Sequence, residues 1–283
     1  MTQPILSILI VNYRTTDWLA RCLRSLKSLW ADPRTVEGWV VDNASNEPEK
    51  LQALALEFPQ IHWIRNARNV GFAKANNQAM AQATGRWFWL LNPDTEWVAG
   101  RCLDWLERFD HSHPKAGMVG TRLIYPDGRL QLSWGADPHF FTEAMQRWVW
   151  NRLERSKLGQ AILGRLAGGP KRVDWVLGAS FFVRREAYGT VGGMDERFFL
   201  YFEEVDWARR MRQADWEVWY DPTVVVCHWR GRAMAQADEP TVWEYRKSQL
   251  AFYRKHYGQL AGRLLLAYLR FKYGSRAIAH LEF

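Results

Sequence analysis

Apolar and polar positions along this chain follow two periods in turn. Residues 5–11 form an apolar run broken only by Ser7, too short for a helix, and read as a strand buried on both faces. After a polar loop over 12–17, Leu19, Cys22, Leu23, Leu26, Leu29 and Trp30 recur at helical spacing. Residues 39–42 give a second strand. Asn46, Pro48 and Glu49 open a second helix in the manner of a capping box, with its apolar stripe at Leu51, Leu54, Ala55 and Phe58. A third strand covers 61–64. A third helix over 72–83 is expected to stop at Gly85 in a left-handed conformation, and a fourth strand covers 87–91. This strand–helix order predicts a parallel sheet with right-handed crossovers.

The fourth strand is where the pattern turns to chemistry. Pro93 has no N–H to give, so the ladder ends there and leaves Asn92 and Asp94 at the carboxyl end of a central strand. Ligands bind at that edge in open α/β sheets, and an Asn-x-Asp pair offers oxygens that suit a hard divalent cation. Taken alone, the same stretch reads equally as a turn with an N-cap for a following helix. Asn12-Tyr13 and Asp42-Asn43 close the first two strands, so their polar groups should converge on the same edge. Gly71 and Phe72 open the third helix with Lys74, Asn76 and Asn77 close behind, a setting useful near phosphate. Neither a dinucleotide fingerprint nor a Walker-type loop is present.

The second half is less regular. A helix is expected near 101–109, and residues 118–125 and 130–134 flank the turn Pro126-Asp127-Gly128 as a hairpin. Residues 138–170 are basic, Trp-bearing and helical in pattern. They are a candidate mobile insertion, or an ordinary surface helical pair. Residues 173–183 read as one buried strand, with Gly178 and Ala179 leaving room for a ligand. Glu203, Glu204 and Asp206 follow an aromatic run and precede a helix bearing Arg209, Arg210 and Arg212. Acids first and bases last suits the helix dipole, yet so many carboxylates after aromatics make a poor solvated face. Short strands are expected at 216–220 and 224–227, the latter leading to His228, either a packed histidine or a metal ligand beside Asp94. A break at Glu239-Pro240 precedes two helices. The second carries Leu264, Leu265, Tyr268, Leu269 and Phe271 with Arg263, Arg270, Lys272 and Arg276. It is too short to span a bilayer and shaped either for a bilayer interface or for packing on the core.

With 283 residues the chain makes one large domain or two small ones. A net charge of +8 suits phosphate-bearing partners, but no helix-turn-helix, zinc or RNA-binding signature points to nucleic acid. The 17 Trp, among them Trp148, Trp150, Trp229 and Trp243, suit sugar faces, membrane interfaces or the core. Three cysteines in apolar contexts, without framework spacing, suggest reduced thiols and a cytoplasmic setting. The apolar run at 5–11 lacks the basic start and cleavage site of a leader.

In order, these stretches resemble the family-2 glycosyltransferases of the GT-A fold, over about residues 5 to 230. The resemblance implies an α/β GT-A, Rossmann-like nucleotide-sugar-binding sheet with a C-terminal helical extension. Residues 1–235 would be the catalytic domain, with a nucleotide-binding half (1–120) and an acceptor-binding half (121–235), followed by amphipathic helices over 236–283. By position it implies that Asn12, Tyr13, Arg14, Asp42, Asn43, Gly71, Phe72, Asn76, Asn92 and Gly178 surround the donor, with Asp42 holding the base. Asp94 and His228, with Asn92, would hold Mg²⁺ or Mn²⁺. Glu204 stands at the catalytic base, with Asp206 or Glu203 as substitutes. Two departures stand out: Asn92 replaces an acid, and Glu204 replaces the more usual Asp. One base without a covalent nucleophile implies inversion by single displacement. The motifs look most like rhamnosyltransferases of bacterial surface-polysaccharide assembly. That implies a dTDP-rhamnose donor, a glycan or polyprenyl-diphosphate-linked acceptor, and a cytoplasmic enzyme with peripheral membrane contact through 258–276. A UDP-sugar donor, an inactive binding or scaffolding domain, and a nucleotidyltransferase are the competing readings.

Overall fold

The computed structural model describes residues 3–31, 35–139, 143–229, 241–274 and 281. The expected break at Glu239-Pro240, and Arg276, lie outside them.

The first half follows the period-2 and period-3.6 pattern closely. β1 (Leu6–Asn12), α1 (Thr16–Ser25), β2 (Val36–Asp42), α2 (Pro48–Glu57), β3 (Ile61–Arg65), α3 (Phe72–Gln82) and β4 (Trp87–Leu91) alternate as expected. Their strands run parallel in the order β3-β2-β1-β4. β1 and β4 are buried along their whole length, which is why they carry no polar alternation. Leu6, Ile8, Ile10, Trp87 and Trp89 face one core with α1 and α2. Leu9, Val11, Phe88 and Leu90 face the other with α3.

Three local expectations are corrected. α1 ends at Ser25, and Leu29 and Trp30 are buried from a separate 3₁₀ turn, Lys27–Ala31. Asn46 does not cap α2: it takes a φ of 58°, and Glu47 occupies the cap position while accepting from Thr16 Oγ1 at 2.7 Å. Gly85 is not a left-handed helix stop, because α3 already ends at Ala83 in an extended conformation. Its glycine is needed for close approach: a Cβ there would lie 2.4 Å from Ser7 Oγ and 2.6 Å from Ser7 N. Gly85→Ala is therefore expected to cost roughly 1–3 kcal/mol by overpacking β1. A thermal melt with an unchanged midpoint would show that β1 yields without cost.

The second half continues with β5 (Thr95–Ala99), α4 (Cys102–Ser112), β6 (Ala116–Ile124), β7 (Leu130–Gln131), β8 (Trp134–Gly135), α5 (Glu143–Arg155) and α6 (Lys157–Leu166). Then come β9 (Lys171–Arg172), β10 (Trp175–Val176), β11 (Ser180–Arg184), α7 (Arg185–Val191), α8 (Glu203–Gln213), β12 (Glu217–His228) and α9 (Thr241–Tyr273). β11, antiparallel to both neighbours, wedges between β4 and β6. The sheet runs β3-β2-β1-β4-β11-β6-β12-β5, with β7 on β6 and β9 on β12. The fold is mixed α/β with a C-terminal helical extension.

The strand expected over 173–183 is split at Gly178-Ala179. β10 pairs with β8 in a small separate sheet, and β11 joins the main one. Residues 95–99, assigned to no element from the sequence, form β5 on the edge beside β12. The two short strands expected at 216–220 and 224–227 are one strand. Its register shifts between Tyr220 and Val225, where Pro222 cannot donate to the ladder. Glu203, Glu204 and Asp206 form the first turn of α8 rather than lying ahead of it.

α9 is interrupted at Gly258, whose φ is 84°, so it is two helices in effect, as the sequence suggests. Its first part packs Leu250, Phe252 and Tyr253 against Phe198, Phe202 and Val205, and its second part adds Leu265 and Leu269 to that cluster. Lys255 Nζ and His256 Nε2 reach Asp206 at 2.6 and 2.7 Å. The packing reading of these helices therefore holds for their inner faces. Leu260, Leu264, Tyr268 and Phe271 remain exposed.

Candidate active site

The carboxyl ends of the parallel strands open into one cavity of about 1050 Å³. Its walls include Tyr13, Asn43, Gly71 and Phe72 on one side, and Asn92, Pro93, Asp94, Gly178, Glu203, Glu204 and His228 toward the centre. α5 adds Gln146, Trp150 and Glu154, and α9 adds Tyr245 and Arg246.

Behind the wall of Tyr13, Asn43, Gly71 and Phe72 stands a lattice of buried amides. Asn12 is fully buried, and its Nδ2 donates to Asp42 Oδ1 at 3.1 Å and to Ser45 Oγ at 2.9 Å. Asn12 thus orients Asp42 from the rear. Arg14, at a φ of 56°, donates its backbone N–H to the same Ser45 Oγ. Asn43 Nδ2 donates to Asn69 Oδ1 at 2.7 Å, while its Oδ1 accepts from Val70 N. Asn76 donates to the Phe72 carbonyl within α3. Of the donor-side residues expected from sequence, Asn12, Arg14, Asp42 and Asn76 do not border the cavity, and the others do. Gly71 has a φ of 89°, and a Cβ on it would sit 2.8 Å from the Phe199 carbonyl oxygen. The loop before α3 is thereby fitted to the segment leading into α8.

Asp94 and His228 meet at the end of β4 and the end of β12. His228 Nε2 lies 3.5 Å from Asp94 Oδ1, and both side chains are buried. On the other side of the ring, Gln131 Oε1 lies 3.1 Å from His228 Nδ1. In the tautomer that donates from Nδ1 to that oxygen, the Nε2 lone pair faces the carboxylate. Two acceptors facing each other at that distance make a cradle for a cation. Among the described residues no three His, Cys, Asp or Glu side chains converge as a metal cluster. Asp94 and His228 would suit a divalent ion as two of its ligands, with Asn92 on the same wall. Gln131 was not legible as a functional residue, since a Gln following a hairpin turn carries no signal until β7 places it beside His228.

α8 enters the site through a strained turn. Tyr201 and Phe202 have φ of 70° and 65°, left-handed values uncommon for aromatics and of the kind stored at functional sites. The turn is braced by Phe202 packing against Phe252 and Tyr245. It delivers Glu203 and Glu204 to the cavity with their side chains almost fully buried. Burial pushes both carboxyls above the ordinary glutamate range, and the neighbouring Glu204 pushes Glu203 further. Backbone amides, that of Gly178 among them, work against burial at Glu204 by favouring its charged form. Oε2 of each glutamate has no hydrogen-bond partner among the described residues. The Gly178 N–H thus favours the charged form of Glu204, while the neighbouring Glu204 opposes that of Glu203. Asp206 points elsewhere. Burial pushes its carboxyl up, but bonds from His256, Lys255 and Arg210 hold it below the ordinary range. It does not border the cavity.

On the wall opposite the sheet, within the helical stretch expected over 138–170, the sequence did not single out Glu143. Glu143, at the start of α5, accepts from Gln249 Nε2 at 2.8 Å, from Tyr253 Oη at 2.9 Å and from Tyr245 Oη. These bonds tie α5 to α9 across the cavity.

Comparison with known proteins agrees with this geometry. The description "Glycosyl transferase family 2" matches residues 7–169, more than half of the chain. The N-acetylglucosaminyl-diphospho-decaprenol L-rhamnosyltransferase of Mycobacterium tuberculosis is 28% identical over 267 residues, covering 88% of this chain and 83% of that protein. Among solved structures, the Pyrobaculum calidifontis mannosyltransferase PcManGT, in complex with GDP-Man and Mn²⁺, aligns with a TM-score of 0.60. It is 15% identical, over 99% of this chain and 79% of the other. GalNAc-T7 with UDP, GalNAc and Mn²⁺ aligns with a TM-score of 0.59 at 17% identity, over 87% of this chain. This chain spans about half of GalNAc-T7, 47% of its length. These neighbours are GT-A glycosyltransferases, and the fold is theirs.

Proposed function

This chain belongs to glycosyl transferase family 2, and we propose that it is an inverting rhamnosyltransferase. It moves L-rhamnose from dTDP-rhamnose onto a polyprenyl-diphosphate-linked glycan acceptor in bacterial surface-polysaccharide assembly. The observation that carries the reaction is one ionisable, amide-held carboxylate, Glu204, on the cavity that also holds Asp94 and His228. The sugar and the acceptor class rest on the rhamnosyltransferase relative, and the dTDP carrier on the resemblance of the motifs.

The acceptor O–H attacks the anomeric carbon as the bond from that carbon to the diphosphate oxygen breaks. Its proton passes to Glu204, and dTDP leaves. Glu204 takes no part as a nucleophile, so one displacement inverts the centre. A divalent cation held by Asp94 and His228, Mg²⁺ or Mn²⁺, would neutralise charge developing on the departing diphosphate. Tyr13, Asn43, Gly71 and Phe72 line the nucleotide's side, with Asp42 held behind them by Asn12. Trp150 offers a flat apolar face on the acceptor's side of the cavity.

No helix among the described residues is long and apolar enough to cross a membrane. A lipid-linked acceptor would bring the enzyme to the inner face of the membrane. There the exposed Leu260, Leu264, Tyr268 and Phe271 of α9, beside Arg263 and Arg270, supply a peripheral contact.

The test is a donor panel of dTDP-rhamnose, UDP-sugars and GDP-mannose, with and without Mn²⁺, and with the product's anomeric configuration read by NMR. Turnover is expected with dTDP-rhamnose and with inversion. Turnover confined to a UDP-sugar, or a retained configuration, would overturn the reading. No turnover with any donor would favour a binding domain.

A further inference from the structure

The outer face of the α5–α6 pair has no use in the reaction proposed above. The inner side of the pair is accounted for. Trp150 and Glu154 border the cavity, Glu154 accepts from Tyr125 Oη at 2.8 Å, and Leu163 is buried. The outer side carries Met145, Trp148 and Val149 at i, i+3, i+4 on α5, and Leu158, Ile162 and Leu166 at i, i+4, i+8 on α6. These rows are bare: Trp148 is 60% exposed and Leu158 is 74% exposed.

The charge around those rows has one sign. Arg152, Arg155, Lys157 and Arg165 are exposed, and Arg152 lies over the Trp148 ring at 5.0 Å. The only acids in the two helices, Glu143 and Glu154, are both buried. An ordinary solvated face interleaves both signs and keeps large apolar side chains apart. Cations and bare apolar rows together match an anionic bilayer. Its phosphates take the arginines and lysine, its upper acyl region takes the Leu and Ile side chains, and Trp sits between. The face also continues directly into the cavity wall, since Trp148 and Trp150 belong to one helix.

We propose that the outer face of α5–α6 seats on an anionic lipid surface and holds the cavity against the headgroups. An acceptor can then present its sugar to Glu204 while its lipid stays in the bilayer. This use rests on the lipid-linked acceptor proposed above; the docking itself does not.

The test uses the full chain and flotation with vesicles of phosphatidylglycerol and phosphatidylcholine, against phosphatidylcholine alone. Two variants are compared with wild type: Trp148→Ser with Leu158→Ser, and Arg152→Glu with Arg165→Glu. Wild type is expected to float with the anionic vesicles and to leave them as salt is raised. Each variant should bind at least about tenfold more weakly. Both should keep the wild-type melting midpoint and unchanged transfer to a water-soluble acceptor, with transfer to a vesicle-embedded acceptor reduced. Wild type that does not float would overturn the proposal. So would variants that float like wild type, held by α9 alone, or a wild-type dimer that the Trp148 and Leu158 changes convert to monomer. Loss of flotation in the variants, in a protein that turns over no donor, would remove the proposed function and leave the docking face standing.

Discussion

Glu204→Gln is expected to lower kcat roughly 10²- to 10⁴-fold, the usual share of a general base, with donor affinity nearly unchanged. The amide keeps the shape of the side chain and an oxygen to face the Gly178 N–H, so the fold of the site should survive. What it loses is the capacity to take the acceptor's proton. Glu203→Gln should be far milder, because burial and the adjacent Glu204 both oppose the charged form at that position, and an amide carries no charge. Near wild-type turnover in the Glu204 variant, with collapse in the Glu203 variant, would exchange their roles. The same pair fixes two pH effects. Since burial raises Glu204, the acidic limb of kcat/KM should lie above the ordinary glutamate value. For stability the sign is opposite to that of a salt-bridged acid. Both carboxyls are raised in the folded state, so their contribution is present below the ordinary glutamate pKa and is lost as pH rises through the raised values. Glu203→Gln should therefore melt above wild type at neutral pH. A lower midpoint would mean that Glu203 makes a needed contact.

Where each residue's own neighbours along the chain decide its surroundings, the sequence was readable. β1 and β4 are apolar throughout because both faces of a central parallel strand are covered, and the run lengths alone indicate strands. The meeting of Asp94 with the first strands follows from parallel topology, since all four ends share an edge. Long-range pairing hid the rest. β5 looks like a turn and a cap because its partner, β12, lies more than a hundred residues away. β12 looks like two strands because Pro222 breaks its pattern without breaking the strand. Asn12 and Asp206 carry the residue types of a binding site, yet the structure turns Asn12 onto Asp42 and Asp206 onto Arg210, Lys255 and His256. Residue type indicates what a side chain can bond, and only packing indicates what it finds there. Gln131 and Glu143 are the converse, polar residues with no motif that gain partners only when β7 and α9 fold beside His228 and α5.

Asp94→Ala is expected to abolish the dependence of donor binding on Mn²⁺. By calorimetry, wild type should bind dTDP-rhamnose more tightly with Mn²⁺ than with EDTA, and the Asp94 variant should bind equally weakly in both. Among the described residues of the cradle Asp94 is the one carboxylate, beside the imidazole of His228 and the amide of Asn92. His228→Ala should therefore keep part of the Mn²⁺ effect. Gln131→Leu is the sharper probe. Gln131 Oε1 faces Nδ1, the ring nitrogen away from Asp94, so it would act on an ion only through His228, by favouring the tautomer whose Nε2 lone pair faces Asp94. Loss of such a partner commonly costs about 10- to 100-fold in metal affinity. A structural role alone for Gln131 would lower the melting midpoint of the metal-free protein and leave Mn²⁺ affinity unmoved. If wild type binds the donor equally well with EDTA and with Mn²⁺, the cradle holds no catalytic cation. Asp94 and His228 would then act on the diphosphate as a directly hydrogen-bonded pair, with the proton on Nε2.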